Sequence, residues 1–360
     1  MYKSQDAPQQ NDGMTKIKIE EAIGTRLAHD ITEIRPGEFK GPSFRRGHQV
    51  QEQDVCHLMR LGKRHLYVLD LKEGQVHEDD AVMELAEALA GPGVSFGNDP
   101  KEGKLQFTAA YDGLLKVNTR ALVEFNLVPD VMCAAMHNNV PVTRGQKVAG
   151  TRAIPLVIKR EALNRAVAIA QDQAPIFSIK TYHRKKIRLL ITGSEVYDGL
   201  IEDRFEAIVK KKLTAFGASL LETVILPDDA ERIAATVQQF SETDTDMIVT
   251  TGGMSVDPDD VTRHGIRQAG VDTLYYGSGV LPGAMFLVGE LRGPKGRLPI
   301  LGVPACALFH ATTVLDLVLP RVLAGEEFDR NKIAELGHGG FCQNCVDGCR
   351  FPVCGFGRGS

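Results

Sequence analysis

The sequence has no long uninterrupted apolar run, no apolar leader and no excess of basic residues. Its most apolar segment, residues 301–323, contains His310, Asp316 and Pro320, which is typical of a buried core helix rather than a membrane span. Residues 1–13 are polar and lack the apolar stretch of a signal peptide, which favours a cytoplasmic location. The net charge of -4 argues against a general nucleic-acid binder, because such proteins usually carry a basic face. We therefore expect neither a membrane nor nucleic acid as a partner.

Length and composition indicate a globular protein of two domains with a tail. The chain has 360 residues, of which 43% are hydrophobic and 24% charged. Short β-like runs separated by Gly and Pro turns fill the amino-terminal half. The predicted division is residues 1–14 disordered, residues 15–178 a β-rich α+β domain, residues 179–327 an α/β domain and residues 328–360 a cysteine-rich tail.

One helix interrupts the β-rich region. Val82, Leu85 and Leu89 share a helical face with Ala86, and Gly91-Pro92 is expected to end the helix.

From Ile187 onward, strand-like and helix-like patterns alternate. Segments in which apolar residues predominate predict strands at residues 187–191, 220–226, 247–250 and 300–303. A helix is predicted from apolar residues spaced from Ile201 to Phe216, a second after a cap at Asp228-Asp229, and a third beginning at Pro304. Such alternation predicts a parallel sheet covered by helices on both faces, that is, a three-layer α/β domain.

Three short polar motifs follow these predicted strands. They are Thr192-Gly193-Ser194-Glu195, the segment from Thr250 to Asp260, and Gly302-Val303-Pro304-Ala305-Cys306. Because ligands of open parallel sheets bind beyond the carboxyl ends of the strands, we expect a binding site where these motifs meet.

The Gly252-Gly253 pair is suited to holding an anion, since glycine lets the backbone N–H groups come close to a ligand. Asp257, Asp259 and Asp260 follow in the same turn. They would repel a phosphate unless Mg²⁺ bridged them to it. In the alternative interpretation Asp257 is only a helix N-cap, with Pro258 at the first helical position and Asp260 completing a capping box.

Other acidic residues are equally open to two interpretations. Glu195 is either an exposed loop acid or a residue of the site. Asp228 and Asp229 stand where a helix N-cap belongs, and aspartates in that position are more often helix caps than catalytic residues.

In their order and spacing, these motifs resemble the molybdopterin-binding domain of the molybdopterin molybdenumtransferase family. The resemblance covers residues 187 to 325. Its ordered elements are Thr192-Gly193-Ser194-Glu195, Gly199-Leu200-Ile201-Glu202-Asp203, Pro227-Asp228-Asp229, Gly252-Gly253-Met254-Ser255-Val256 with Asp260 and Thr262, Pro282-Gly283, and Gly302-Val303-Pro304.

The resemblance implies a reaction in molybdenum cofactor biosynthesis. Molybdate would be inserted into adenylylated molybdopterin with the assistance of Mg²⁺, AMP would be released, and molybdenum would remain on the dithiolene sulfurs. Asp260, Asp228 and Glu195 would take part in the chemistry or contact the pterin. The implied ligand-binding residues are Thr192, Gly193, Ser194, Thr251, Gly252, Gly253, Met254, Ser255, Asp257, Pro282, Gly283 and Pro304. The family also implies a homodimer.

The sequence departs from the family pattern at positions that bear on the reaction. Leu281 and Ala284 flank Pro282-Gly283, where the family usually has lysines, and Ala305-Cys306-Ala307 replaces a Gly-Asn-Pro. Lysines would neutralise molybdate or phosphate. Two further functions therefore stay open: a non-catalytic protein that binds the cofactor and delivers it to a molybdoenzyme, and a molybdopterin adenylyltransferase.

Four of the seven cysteines lie in the tail, as Cys342, Cys345, Cys349 and Cys354. Their C-x2-C-x3-C-x4-C spacing is typical of a site for Zn²⁺ or an iron–sulfur cluster. The alternative is a flexible tail with free thiols or adventitious disulfides. Cys306, at a strand-to-helix turn, is either a core residue or a thiolate near the site.

Overall fold

The computed structural model describes residues 14–35, 38–69, 71–254, 261–271, 273–294 and 296–359. Residues 1–13, which make up nearly all of the segment expected to be disordered, lie outside these ranges. Contacts divide the chain into two compact units. The first comprises the chain up to Ala110, Val117–Met136 and Gly145–Ser178; the second comprises Tyr111–Lys116, His137–Arg144 and the chain from Ile179. Within the described ranges, no helix is long and apolar enough to cross a membrane.

The chain up to Lys180 is rich in short strands, as the sequence predicts. The strands are β1 (Met14–Lys18), β2 (Ile31–Arg35), β3 (Phe39–Phe44), β4 (His65–Leu69), β5 (Gln75–His77), β6 (Val94–Phe96), β7 (Lys104–Ala109), β8 (Gly113–Val117), β9 (Val131–Ala135), β10 (Val140–Val142), β11 (Lys147–Ala153), β12 (Val157–Lys159) and β13 (Phe177–Lys180). The helices are α1 (Glu52–Arg60), α2 (Glu78–Leu89), α3 (Thr119–Asn126) and α4 (Arg160–Asp172).

In the first unit, the strands form small antiparallel sheets. β1 pairs with β4, β2 with β3 and β5 with β12, and a four-stranded sheet has the order β6-β7-β11-β9. The predicted helix is confirmed as α2, whose face of Val82, Leu85 and Leu89 is fully buried. The His77 ring caps this helix by accepting the Asp79 N–H at 3.1 Å.

The second unit contains β10 and most of β8 and, from residue 186 onward, a six-stranded sheet with its helices. Its elements are β14 (Lys186–Thr192), α5 (Ser194–Tyr197), α6 (Phe205–Thr214), β15 (Ser219–Leu226), α7 (Ala230–Glu242), β16 (Met247–Thr251), α8 (Thr262–Gln268), β17 (Thr273–Tyr276), β18 (Leu287–Gly293), β19 (Gly296–Val303), a 3-10 turn (Ala305–Leu308), α9 (Val314–Leu323) and α10 (Arg330–Glu335). The strand order is β15-β14-β16-β19-β18-β17.

The predicted parallel sheet is confirmed. The four predicted strands are β14, β15, β16 and β19, and they pair in parallel. Beyond β19 the sheet continues through two antiparallel strands, β18 and β17. The sequence analysis did not identify these two, because Gly289 and Glu290 interrupt the apolar pattern of β18.

Alternate side chains of the central strands pack into two separate cores, which makes the domain three-layered. Leu189 of β14 and Val249 of β16 lie in a core with α6 and α9. Leu190 and Ile248 point into the opposite core, with α7 and α8. Successive side chains of a strand point to opposite faces of the sheet, so a strand buried on both faces needs apolar residues at successive positions. Residues 189–191 of β14 and 247–249 of β16 meet this requirement.

Two predicted helix boundaries are wrong. No helix begins at Pro304; the proline precedes a 3-10 turn, and α9 begins only at Val314. The Thr313 side chain caps α9 by accepting the Leu315 N–H, and Asp316 accepts the Thr313 N–H at 2.8 Å. This capping box sets the start of the helix. Ile201, expected on the first helix, lies in the loop before α6.

Candidate functional site

A cleft of about 790 Å³ lies at the carboxyl ends of the parallel strands, where the three polar motifs were expected to meet. Its volume is in the range of small-molecule sites, ~300–1,000 Å³. The structure brings eight of the predicted site residues to its lining: Thr192, Glu195, Gly252, Gly253, Met254, Pro282, Gly283 and Pro304.

The glycine turn after β16 is fitted closely to the end of β14. Gly252 has φ +83, and a Cβ there would lie 1.8 Å from the carbonyl oxygen of Thr192. The buried Thr192 hydroxyl hydrogen-bonds the Thr251 carbonyl at 3.1 Å and the Thr262 hydroxyl at 2.7 Å. Both the backbone conformation and the lack of space therefore require glycine at position 252.

The loops after β14 and β15 are joined by Ser194 and Asp228. Oδ2 of Asp228 accepts the N–H of Ser194 at 2.9 Å and its hydroxyl at 3.0 Å. Asp229, not Asp228, is the cap of α7, since it accepts the N–H groups of Glu231 and Arg232. Four predicted residues, Gly193, Ser194, Thr251 and Asp228, are not part of the cleft lining.

On the other side of the cleft, Pro282-Gly283 packs against α9. Gly283 has φ +134, and a Cβ there would lie 2.4 Å from Cγ1 of Val314. The Ser278 hydroxyl donates to the Gly283 carbonyl at 2.9 Å, and the Val314 N–H donates to the Pro282 carbonyl at 3.1 Å. The main chain of this loop is thus held in place on both sides.

The charged side chains at the cleft are mostly acidic. Glu195, Glu202 and Asp203 line it, and Arg204 is the one basic residue among the described lining residues. Asp203 is occupied in part as a cap of α6, because it accepts the N–H of Phe205 at 2.8 Å. Arg263, the basic residue that follows Thr262, is not in the lining; its guanidinium lies 4.2 Å from the centre of the Tyr276 ring.

Cys306 lines the cleft but does not have the character of a reactive thiolate. Its side chain is half-buried, and burial raises the pKa of its thiol. The interpretation of a thiolate activated by a helix amino terminus is therefore not supported, since the turn at residues 305–308 is a single 3-10 turn.

Three predicted site residues, Ser255, Asp257 and Asp260, lie outside the described residues. Within the described ranges, no three His, Cys, Asp or Glu side chains form a preformed metal site. Mg²⁺ is commonly held by one or two carboxylates together with substrate phosphates. Glu195, which lines the cleft, fits that requirement as one protein ligand.

The apolar walls of the cleft were missed by the sequence analysis. They are formed by Ile191, Val196, Ile201, Phe205, Leu281, Met285 and Leu308. Apolar residues carry no chemical signature, so their presence in a site depends on the fold. Arg204 was also missed, although it directly follows the motif that ends at Asp203.

The first unit contains a second cavity of about 790 Å³ that the sequence analysis did not anticipate. Its lining is polar and includes His29, Arg46, Glu78 and Arg152. Burial, with a contribution from the charge of Asp79, raises the pKa of Glu78 to about 7. These charged residues are spread along the whole first unit, which is why no local motif pointed to them.

Comparison with known proteins identifies two segments of the chain that match family models. Residues 188–324 match the family model described as a probable molybdopterin binding domain. Residues 16–70 match a model described as a domain of unknown function. The resemblance noted in the sequence is therefore confirmed for the carboxyl-terminal half of the chain.

Individual relatives cover only parts of the chain. The molybdopterin molybdenumtransferase of Synechococcus elongatus is 25% identical over 171 residues, covering 45% of this chain and 41% of the relative. A CinA-like protein of Pseudothermotoga lettingae is 34% identical over 85 residues, covering 24% of this chain and 21% of the relative. This chain thus spans less than half the length of either relative. The crystal structure of the molybdopterin biosynthesis enzyme MoaB from Thermus thermophilus has a TM-score of 0.34 and 20% identity, and the similarity covers 40% of this chain and 99% of that one.

Proposed function

We propose that the cleft binds molybdopterin and that the protein inserts molybdate into adenylylated molybdopterin, releasing AMP. One observation carries the proposal. A glycine turn that tolerates no side chain opens into an apolar cleft at the carboxyl ends of parallel strands, within the segment that matches the molybdopterin-binding family model.

The lining of the cleft suits a planar bicyclic ring with a phosphate. Apolar side chains such as Ile201, Phe205 and Leu281 offer surfaces against which a pterin can pack. Gly252 and Gly253 line the cleft and carry no side chain, so a phosphate oxygen would be able to approach their main-chain N–H groups closely. A mostly apolar cleft with a few polar groups would orient the pterin without forming a covalent bond to it.

The carboxylates have two proposed roles. Glu195 would hold Mg²⁺ or contact the pterin, together with Asp260 and Asp257. Asp228 would act mainly as a positioning residue, because its Oδ2 is already bound by Ser194. When bound, Mg²⁺ would neutralise charge at the phosphoanhydride; transfer reactions of this kind depend on positioning and charge neutralisation.

AMP release by the purified full chain tests the proposal. The protein is incubated with adenylylated molybdopterin, Mg²⁺ and molybdate, and AMP is measured by chromatography. We expect molybdate-dependent AMP release that falls at least tenfold in Glu195→Gln and is unchanged in Glu242→Gln, an exposed glutamate on α7. A wild-type protein that binds molybdopterin but releases no AMP would contradict the insertion step.

The acidic character of the cleft favours one alternative, cofactor binding and delivery. Leu281 and Ala284 stand where the family usually has lysines, and Arg204 is the one basic side chain that the described lining contains. A delivery protein has no need to neutralise molybdate or a leaving phosphate. Tight retention of molybdenum cofactor without AMP release, followed by transfer to an apo-molybdoenzyme, would support delivery. ATP consumption with transfer of AMP to molybdopterin would instead support adenylylation.

Substitution of Arg204 distinguishes molybdate insertion from cofactor delivery in a second way. Under the insertion proposal, Arg204→Ala lowers the rate of AMP release because the cleft loses its described cation. Under delivery it changes only the affinity for the cofactor. Lys210→Ala serves as the matched control, because Lys210 is an exposed basic residue on α6, the helix that begins directly after Arg204.

A further inference from the structure

The carboxyl-terminal segment of the second unit forms a small cavity of its own. The cavity has a volume of about 210 Å³, and all four cysteines of the segment line it: Cys342, Cys345, Cys349 and Cys354. Each is a free thiol. The C-x2-C-x3-C-x4-C spacing thus brings four cysteine residues to the lining of one cavity, to which His310 also belongs.

Packing holds this segment in place at both ends. At its start, the Cys342 N–H donates to the Leu281 carbonyl at 2.8 Å, and the Leu281 N–H donates to the Gly340 carbonyl at 2.8 Å. At its end, Phe356 is only 5% exposed within the core beneath α9. Gly357 is pressed against the same helix, since a Cβ there would lie 2.3 Å from a methyl group of Leu317. The cysteines are therefore carried by an anchored loop.

The anchored loop places the four cysteine residues along one cavity, and none of them is in a disulfide. The Thr312 hydroxyl and the Cys349 thiol are 3.0 Å apart and form a hydrogen bond. Among the described residues, no three potential ligands converge on one point as a preformed metal site would. A water needs only ~10–15 Å³, so a cavity of about 210 Å³ leaves room for a metal ion and for the thiols to rotate toward it.

We propose that these four cysteines bind one thiolate-ligated metal centre, either Zn²⁺ or an iron–sulfur cluster. Four sulfur ligands at close spacing match the ligand sets of both. On binding, each thiol releases its proton to solvent and the resulting thiolate donates an electron pair to the metal. No oxidation or reduction is required for that step.

The centre also has a structural consequence for the cleft. The loop after β19 is shared: Ala305, Cys306 and Leu308 line the cleft, whereas the next residues, 309–312, line the cysteine cavity. Leu281 likewise lines the cleft and pairs with Phe341, next to Cys342. A metal bound by the four cysteines therefore stabilises two sides of the cleft, the loop after β19 and the segment at Leu281. It takes no part in the reaction in the cleft.

Metal analysis of the full-length protein tests the proposal. After anaerobic purification, we expect about one zinc per chain, or iron with acid-labile sulfide and visible absorption, by elemental analysis and spectroscopy. The double substitution Cys345→Ser/Cys349→Ser removes the metal, whereas Cys56→Ser, an exposed cysteine of the first unit, keeps it. Neither measurement involves a pterin, so the result is independent of the proposed function.

A second measurement covers the case in which the double variant misfolds. In the wild type, alkylation mapped by mass spectrometry should find the four tail thiols protected until a chelator is added, with Cys56 reactive throughout. The proposal is overturned if neither zinc nor iron is retained after anaerobic reconstitution with Zn²⁺, or with Fe²⁺ and sulfide. It is equally overturned if the four thiols react at one rate with and without the chelator.

Discussion

Asp228 and Ser194 hold the loops after β15 and β14 together through a reciprocal set of hydrogen bonds. Asp228 Oδ2 accepts from both the main-chain N–H and the hydroxyl of Ser194, and the Asp228 N–H lies 3.2 Å from the same hydroxyl. Two motifs separated in sequence are thus joined by side-chain and main-chain hydrogen bonds. Glu195, the acid that lines the cleft, is the residue directly after Ser194.

The first prediction concerns this pair. Asp228→Ala removes the acceptor for two donors, so we expect a loss of about 1–2 kcal/mol in the free energy of unfolding, measured with urea. The variant also loses the hydrogen bonds that hold Ser194, the residue next to Glu195. The rate of AMP release should therefore fall by more than the smaller fraction of folded protein explains. Asp198→Ala, an exposed aspartate after α5, is the control and should change neither quantity. Full activity in Asp228→Ala would show that the pair has no positioning role.

The second prediction concerns the glycine turn. Gly252→Ala would place a methyl group 1.8 Å from the Thr192 carbonyl oxygen at a positive φ, so the turn must move. We expect a destabilisation of roughly 2–4 kcal/mol and loss of molybdopterin binding. Gly270→Ala also has a positive φ, +90, but its Cβ meets nothing within 4 Å. That control should lose only about 1 kcal/mol, and equal losses in the two variants would refute the close fit at Gly252.

The sheet and the glycine turn could be predicted because their signals are local. Strands buried on both faces need apolar residues at successive positions, and residues 189–191 of β14 and 247–249 of β16 are apolar. A turn pressed against another strand needs glycine, and the Gly252-Gly253 pair stands out in the sequence. The error at Pro304 has the opposite origin. A local preference of proline for a first helical position was overruled by the capping box at Thr313 and Asp316.

The walls of the cleft and the cavity of the first unit could not be predicted because only the tertiary fold assembles them. Leu281 and Met285 come to the cleft from the loop before β18, far in sequence from the glycine turn. In the first unit, His29 and Arg152 meet in one cavity although more than half of that unit separates them in the chain. Neither group has a spacing that a single sequence reveals.

The third prediction is a dependence of stability on pH caused by Glu78. Burial raises the pKa of Glu78 from 4.5 to about 7 in the folded protein. Between these two values the unfolded chain loses its proton while the folded protein keeps it, so the stability falls as the pH rises from about 4.5 to about 7. The contribution is roughly 1–3 kcal/mol at neutral to alkaline pH.

Glu78→Gln tests this assignment, because it keeps the shape of the side chain and removes the titration. Thermal unfolding followed from pH 4 to pH 8 should show the variant gaining stability relative to the wild type as the pH rises. Glu87→Gln, on the exposed face of the same helix α2, should follow the wild-type curve. Parallel curves for Glu78→Gln and the wild type would mean that Glu78 does not titrate in this range.

The last prediction links the cysteine cavity to the cleft through Cys306. This thiol lines the cleft on the loop that the two cavities share, and burial raises its pKa, so it should react slowly with an alkylating reagent while the loop is held. If the proposed metal centre stabilises the loop, removing the metal with a chelator should speed the alkylation of Cys306 roughly fivefold, equivalent to about 1 kcal/mol of local stability.

Mass spectrometry reports two internal controls in the same sample. Cys133, whose pKa burial raises to about 12, should stay unreactive unless the first unit unfolds, and the exposed Cys56 should react quickly throughout. Since Cys306 is not itself a proposed ligand, a change in its rate reports movement of the wall rather than release of a sulfur from the metal. An unchanged rate, in protein whose metal has been shown to leave, would mean that the centre stabilises only its own segment.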